Sequence, residues 1–549
     1  MEGEKFTAEA VARAQGVPEA GVIHALSGPL GQGHRLVTAL SVRRAEGQRL
    51  STYRFRHSLF QQYLYGRLDP VERVRLHEAI GLALEAHHGA AASELAVELA
   101  RHFERAGLVD KAAAYSLRAG HQAMEMLAHR EAVQHYRRGL ALLPSLPDSA
   151  GRDRQELDLQ LALGSALLAT EGMGSQGQIL AYTRAYALSQ RLGERVELWP
   201  ALQALASSST SRGEYPKALA LGQQLLDLAE HSADPAVLAL AHFTLGATLF
   251  SSGISLVRSR AHLEQAILYY EDVPNTETRR YLTSLNVFDV GVNARAWLSA
   301  VLWILGYPDE ALRRSQEAVA AAQQLDHLLS EVVALYAAGH AHKNRGEYQA
   351  LWADVALLER LVAGKNLLVG DVWVDVFSGW LMVHEGKVDE GLARLRRGTA
   401  AWEKTGAVFG TTAQHILLAE ACLGAGQFEE GAAVVARALA FVARTNARPN
   451  EAALHRLEGE GLQARGDGAA LAEASFRRAM EIARAGEQKS WELQAVLGLC
   501  RFWQRQGPAG TGAEKLAEAR TELASVYDWF TEGFDTPDLR AARALLGSA

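Results

Sequence analysis

Gly339-His-Ala-His-Lys-Asn-Arg-Gly346-Glu-Tyr348 sets the frame for two-thirds of the chain. The same order of a small residue, a glycine seven positions on and an aromatic two beyond it recurs as Ala206 with Gly213-Glu-Tyr215 and as Ala419 with Gly426-Gln-Phe428. The glycines form a series, Gly213, Gly253, Gly306, Gly346, Gly386, Gly426, Gly466 and Gly507, at intervals of 40, 53, 40, 40, 40, 40 and 41 residues. Seven positions before each stand Ala206, Gly246, Ser299, Gly339, Gly379, Ala419, Gly459 and Cys500. Five positions after several of them come Ala218, Ala311, Gly391 and Gly431. A glycine suits the left-handed conformation that ends a helix. A small side chain lets the second helix of a hairpin approach the first. Repetition on this scale predicts an all-α solenoid, in which each unit buries its apolar face against its neighbours. Such an array offers a long concave surface rather than a catalytic pocket.

Outward from this ladder the pattern loosens. Ala100 and Gly107-Leu-Val-Asp-Lys-Ala112 follow the same plan, whereas 120–205 is less regular, with Gly172-Met-Gly174 as its expected turn. The 53-residue step predicts an insertion near 275–292. The core small–x6–Gly–x–aromatic–x–x–Ala resembles the tetratricopeptide repeat, whose unit is about 34 residues. The longer steps here imply longer helices or inter-hairpin loops. In tetratricopeptide arrays the inner-helix stripe lines a groove, and the matching positions lie three, six, ten and thirteen residues before each glycine, on one helical face. They collect Phe243, Phe250, Asn293, Trp303, Tyr336, His340, Lys343, Trp373, Trp380, Glu420, Arg456 and Glu460. An aromatic stripe with a few charges suits a peptide or helix partner. It equally suits rings that pack on one another in a tightly wound superhelix.

Bulk composition excludes several classes. Of 549 residues 48% are apolar, which supplies a continuous core. The net charge of −7, without long runs of one sign, argues against a chain-wide nucleic-acid or polyanion binder. Two cysteines, Cys422 and Cys500, with no CxxC pair, argue against a disulfide scaffold or a structural zinc site and point to a reducing, cytoplasmic location. The first residues lack the layout of a signal peptide, and the apolar stretch Ala236–Phe250 is interrupted by His242 and short for a membrane span.

Residues 1–68 do not follow the repeat. Phe6–Gln15 reads as a helix capped by Thr7, and Pro18-Glu19 opens a second through Leu26. Two alternating strands follow, Arg35–Val42 and Leu50–Arg56, around the turn Ala45–Gln48, then helices from Ser58 and from Val71 to His88. Two helices and a two-stranded ribbon make a winged-helix arrangement. Its wing carries Arg35, Arg43, Arg44, Arg49, Arg54 and Arg56, so a DNA-binding transcription regulator is the alternative reading. The second helix, however, has no Lys, Arg, Asn or Gln to read base edges, which disfavours DNA.

Tyr53-Arg-Phe55-Arg-His57-Ser-Leu-Phe60 resembles the Phe-x-His element of winged helices in NACHT- and STAND-type signalling ATPases. There the histidine reaches the nucleotide phosphates on the adjacent ATPase domain, and His57 is the matching position; a histidine packing at a helix start is the plain alternative. Gly306-Tyr-Pro-Asp-Glu-Ala-Leu and the ending Tyr527-Asp-Trp-Phe-Thr-Glu-Gly-Phe-Asp-Thr-Pro-Asp-Leu539 are similar to the C-terminal half of bacterial predicted ATPases, many fused to class III adenylate/guanylate cyclase domains. The resemblance implies a winged helix at 1–68, a helical linker with irregular first repeats at 69–205, and a tetratricopeptide-like superhelix at 206–549. It also implies a sensor and interaction arm, without catalysis of its own, for an ATPase domain supplied in cis or trans. Binding of a protein, peptide or small inducer in the groove would switch how that arm packs on the ATPase. No P-loop motif, HExxH, GxSxG or GxGxxG is present, so no cofactor, metal or catalytic residue is expected on this chain, and no membrane partner.

Overall fold

The computed structural model describes residues 5–45, 48–171, 175–193, 195–273, 276–286, 288–325, 327–365, 367–466, 468–506 and 511–547, and separates into two units, Met1–Glu194 and Arg195–Ala549. The first unit opens with β1 (Lys5–Thr7), α1 (Ala8–Gln15), α2 (Glu19–Ser27), β2 (Val37–Ala45) and β3 (Gln48–Phe55). The strands form one antiparallel sheet in the order β1-β3-β2, with Phe6 opposite Tyr53 and Val37 opposite Phe55. The helix expected from Phe6 therefore begins two residues later. Phe6 is drawn into the sheet because its ring packs on Tyr53 at 6.1 Å and Phe55 at 5.2 Å, over buried Leu26 and Val37. The tip of the ribbon at 46–47, and the side chains of Arg43, Arg44 and Arg49, lie outside the described residues.

Seven α-helices follow among the described residues of this unit: α3 (Ser58–Arg67), α4 (Pro70–His88), α5 (Ala96–Ala106), α6 (Val109–Glu125), α7 (His129–Leu142), α8 (Ala150–Glu171) and α9 (Gln176–Leu192). The expected turn Gly172–Gly174 lies outside the described residues, but the helices on either side of it pair. A Cβ on Gly164 of α8 would sit 2.2 Å from the ring of Tyr182 on α9. Gly120 and Tyr136 repeat this seat between α6 and α7 at 2.1 Å.

Between α4 and α5 two buried imidazoles face each other, His77 Nδ1 and His102 Nδ1, 3.0 Å apart, with the Tyr65 hydroxyl 3.1 Å from His77 Nε2. Burial, then the Arg105 and Arg101 cations, push His77 down to about 4. Burial, then His77 and the same arginines, push His102 down to about 3. Both are thus neutral when folded and protonate near 6.5 when unfolded. The unfolded chain binds more protons below that value, so stability is full above pH ~6.5 and falls as pH drops toward 4. The expected loss for the first unit is roughly 2–3 kcal/mol over that window. Thermal melts of wild type and His102→Phe between pH 7 and 4.5 check it; a wild-type profile as flat as the variant's would refute the assignment.

The second unit is an all-α, tetratricopeptide-like superhelix. Its helices are α10 (Arg195–Ser211), α11 (Tyr215–Ser232), α12 (Pro235–Ser252), α13 (Leu256–Glu271), α14 (Thr276–Asn286), α15 (Val290–Leu305), α16 (Pro308–Leu325), α17 (Leu328–Arg345), α18 (Tyr348–Val362), α19 (Leu368–His384), α20 (Val388–Glu403), α21 (Thr411–Gly424), α22 (Phe428–Thr445), α23 (Glu451–Arg465), α24 (Ala469–Ala485), α25 (Lys489–Gln506), α26 (Thr511–Tyr527) and α27 (Pro537–Gly547). Gly213, Gly253, Gly306, Gly346, Gly386, Gly426 and Gly466 all have positive φ, between 69° and 100°, and each ends the first helix of a hairpin. Gly507 lies outside the described residues. The 53-residue step holds the additional helix α14, with the expected Pro274-Asn275 turn outside the description. Longer helices account for much of the extra period: α17 and α18 run 18 and 15 residues around a two-residue turn.

The small positions act as the spacing predicts. A Cβ on Gly246 would lie 2.8 Å from Leu263, and one on Gly459 3.0 Å from Phe476, in each case on the second helix of the same hairpin. Helices α19 and α20 approach backbone to backbone, with Gly379 and Gly391 facing each other. Helix α12 is long and apolar enough by composition to cross a membrane, but 78% of it is buried among its neighbours.

The array also meets itself at long range. A Cβ on Gly213 would touch the carbonyl of Thr445 at 2.8 Å, and one on Gly253 the backbone of Arg448 and Pro449. Tyr215, Val408 and Ala447 form a buried cluster, and the Arg448 N–H donates to the Ser252 carbonyl at 3.3 Å. Turns of the first two hairpins thus abut the loop between the sixth and seventh.

Candidate functional site

The inner stripe gathers on α12, α15, α17, α19, α21 and α23. Its positions share one face because each is measured back from a glycine that stops its helix at an equivalent point. Tyr336 stacks on Trp373 at 4.1 Å and 22°, and His340 stands edge-on to Tyr336 at 4.6 Å and to Phe377 at 5.1 Å. Trp373 continues to Trp402 at 6.4 Å. Nearby, Trp380 lies parallel to His384 at 5.4 Å and edge-on to Tyr348, with the Lys343 ammonium 5.2 Å above its ring. Phe243 and Phe250 both meet Trp297, which stacks on Phe409 at 4.4 Å.

Charges join three hairpins across this surface. Glu420 accepts from Lys343 Nζ at 2.7 Å and from the Arg456 guanidinium at 3.0 Å, and Arg456 also donates to Glu460 at 2.8 Å. Burial pushes the Glu420 carboxyl up, but attraction to Lys343 and Arg456 outweighs it and holds the group below its ordinary value. Arg456 is likewise disfavoured by burial, yet Glu460 and Glu420 raise it above the usual guanidinium range. Burial, then the Lys343 charge, push His340 down to about 3, so its imidazole is neutral.

The predicted stripe residues fall into two groups. Phe243, Asn293, Trp303, Trp373 and Arg456 are buried; Phe250, Tyr336, His340, Lys343 and Trp380 are half-buried. Asn293 Oδ1, Trp303 Nε1, Trp373 Nε1 and Arg456 Nε have no hydrogen-bond partner among the described residues. Phe377, Trp402, Trp297 and Phe409 belong to the same surface and escape the spacing rule. The first three lie off the chosen offsets, and Phe409 precedes its helix. Among the described residues no group of three or more His, Cys, Asp or Glu side chains could hold a metal ion.

A second surface belongs to the first unit. His57 sits exposed at the junction of β3 and α3, its ring edge-on to Phe60 at 6.3 Å. No residue of α3 is buried, and Leu59 and Tyr63 are 65% and 64% exposed, with Val71 at the start of α4 at 80%. Exposed apolar side chains are thus concentrated on α3 and at the start of α4. Helix α2 is exposed along most of its length, and Arg56 Nε donates to Thr38 Oγ1 at 2.9 Å.

No family model matches the chain. An uncharacterized protein, R02095, of Rhizobium meliloti (strain 1021) is 25% identical over 448 residues, which cover 79% of this chain and 42% of that protein. The chain therefore spans less than half the length of this relative. Among solved structures, a Rap protein complexed with competence and sporulation factor aligns with 68% of this chain and 98% of its own, at 13% identity and a TM-score of 0.47. The STAND protein with a tetratricopeptide repeat sensor PH0952 from Pyrococcus horikoshii aligns with 84% of this chain and 72% of its own, at 12% identity and a TM-score of 0.41.

Proposed function

We propose that this chain is the non-catalytic sensor and protein-interaction arm of a signal-transduction ATPase or cyclase-type regulator. The inner stripe is its partner surface, taking a protein, a peptide or a small inducer. The observation that carries this reading is the convergence of Tyr336, His340, Lys343, Trp380, Glu420 and Arg456 from four helices onto one half-buried aromatic and charged surface. The half-buried rings of Tyr336 and Trp380 would supply contact area, and Lys343 and Glu420 beside them charge-assisted bonds, for such a partner.

The first unit is read as a winged helix that docks on the ATPase domain. The order β1-α1-α2-β2-β3, the exposed α3 face and an unobstructed His57 support it. The imidazole would donate to a nucleotide phosphate held by the other domain. The chain can be co-expressed with the coding sequence immediately upstream and purified without added nucleotide. Bound ADP that is retained by wild type and lost in His57→Ala is the expected result, with Leu59→Glu weakening association of the two parts. Retention untouched by His57→Ala removes the histidine from the switch, and tight ATP binding by this chain alone overturns the reading.

A further inference from the structure

Helix α12 carries a single ionisable side chain, His242, in the middle of its apolar run. That imidazole turns toward the second helix of its own hairpin. His242 Nδ1 lies 3.0 Å from His262 Nδ1 of α13, and the two rings are 5.2 Å apart at 41°. Tyr269, two helical turns beyond His262, stacks on His242 at 5.5 Å and 25°. Positions seven apart share a helical face, so α13 orients the His242 ring with both side chains. All three are half-buried.

Other hydrogen-bonded histidines of the second unit face oxygen. His342 Nδ1 meets Asp354 at 2.7 Å, His415 Nε2 meets Glu403 at 2.6 Å and His455 Nδ1 meets Glu458 at 3.0 Å. Between His242 and His262 two nitrogens face each other instead, one donating and one accepting. His77 and His102 of the first unit stand at the same 3.0 Å separation, but they are 1% and 0% exposed, so a hydrated cation has no access to them. The half-buried pair on α12 and α13 is open to one.

The separation also selects a geometry. Metal–imidazole bonds are about 2.0–2.1 Å long, so nitrogens 3.0 Å apart subtend roughly 90–97° at a shared ion. Neighbouring positions of a square-planar or octahedral ion have that angle, whereas a tetrahedral ion needs nitrogens about 3.3 Å apart. Tetragonal nitrogen sites favour Cu2+ and Ni2+.

We propose that His242 and His262 form a two-imidazole chelate for a divalent ion of tetragonal preference, Ni2+ or Cu2+, with water in its remaining positions. On binding, the ring that donates its Nδ1–H transfers that proton through water to its own Nε2. Both Nδ1 lone pairs then face the ion, both rings stay neutral and no net proton is released. Arg258, one turn before His262 on α13, opposes the incoming charge, which makes the ion exchangeable rather than structural.

Calorimetric titration of the full chain with Ni2+ at neutral pH should show a site that His242→Phe and His262→Phe each weaken by about tenfold or more, because the chelate becomes a single ligand. His262→Gln keeps a polar side chain at this half-buried position and should weaken it equally, which guards against misfolding of the phenylalanine variants. Cu2+ at one equivalent should give paramagnetic resonance splitting from two nitrogens in wild type and from one in each variant. His77→Phe should leave both readouts unchanged. Nickel affinity within about twofold of wild type in His242→Phe and His262→Gln would assign the ion to other histidines and overturn the proposal. Tighter binding of Zn2+ than of Ni2+ would overturn it too, as would a wild-type copper spectrum without two-nitrogen splitting.

Discussion

Glu420→Ala is expected to lower the stability of the repeat unit by about 3 kcal/mol, because it strands a buried and a half-buried cation at once. Lys343 and Arg456 are only 13% and 10% exposed, and Glu420 is the anion they share. Arg456 keeps Glu460, whereas Lys343 is left with the face of Trp380 alone. Removing one member of a buried pair costs more than removing the pair, so Glu420→Ala with Lys343→Met should be more stable than Glu420→Ala by itself. Urea midpoints of wild type and the two variants decide it. A single variant within about 0.5 kcal/mol of wild type would mean that water reaches this network freely. The pH dependence has a definite sign. The folded carboxyl is held below its ordinary value of 4.5, so its stabilisation is present above that pH and is lost as pH falls below it.

A larger side chain at Gly379 is expected to be at least as damaging. The Cβ of any residue there would lie 2.7 Å from the Gly391 carbonyl oxygen and 2.9 Å from the Leu395 nitrogen, and backbone atoms in the middle of α20 cannot rotate aside. Gly379→Leu must push α19 and α20 apart, and overpacking of this kind costs about 3 kcal/mol or more. Gly386→Ala is the informative comparison. No atom lies within 4 Å of its added methyl, and only the positive φ of 87° opposes it, for an expected cost of about 1 kcal/mol. Equal effects at the two sites would show that the hairpins are not in close backbone contact at Gly379.

The glycine ladder was legible because a left-handed helix end leaves few alternatives to glycine, and seven hairpin turns obey that rule. The small positions were legible for a related reason, since Gly379 and Gly246 have no room for a Cβ. Periodicity also placed Tyr336, Trp373, Lys343 and Arg456 on one face. It could not say how deeply each would be buried, because helix phase gives a direction and not the distance to the next helix. Trp373 thus becomes buried while Trp380, also on α19, stays half open. The three-residue strand Lys5–Thr7 was too short to carry an alternating pattern, and only its pairing with Thr52–Arg54 defines it. The grip of Arg345 on Asp535 spans 190 residues and leaves no local trace.

The contacts that Gly213 and Gly253 make with Thr445, Arg448 and Pro449 bear on how such a protein can evolve. Open repeat arrays change length readily, since each unit touches only the next. Here, excising one 40-residue unit between Gly253 and Thr445 would bring a different loop beneath the early turns, and Tyr215 would lose Val408 and Ala447. Gain or loss of a unit inside that circuit should therefore cost this coil more than the same change outside it.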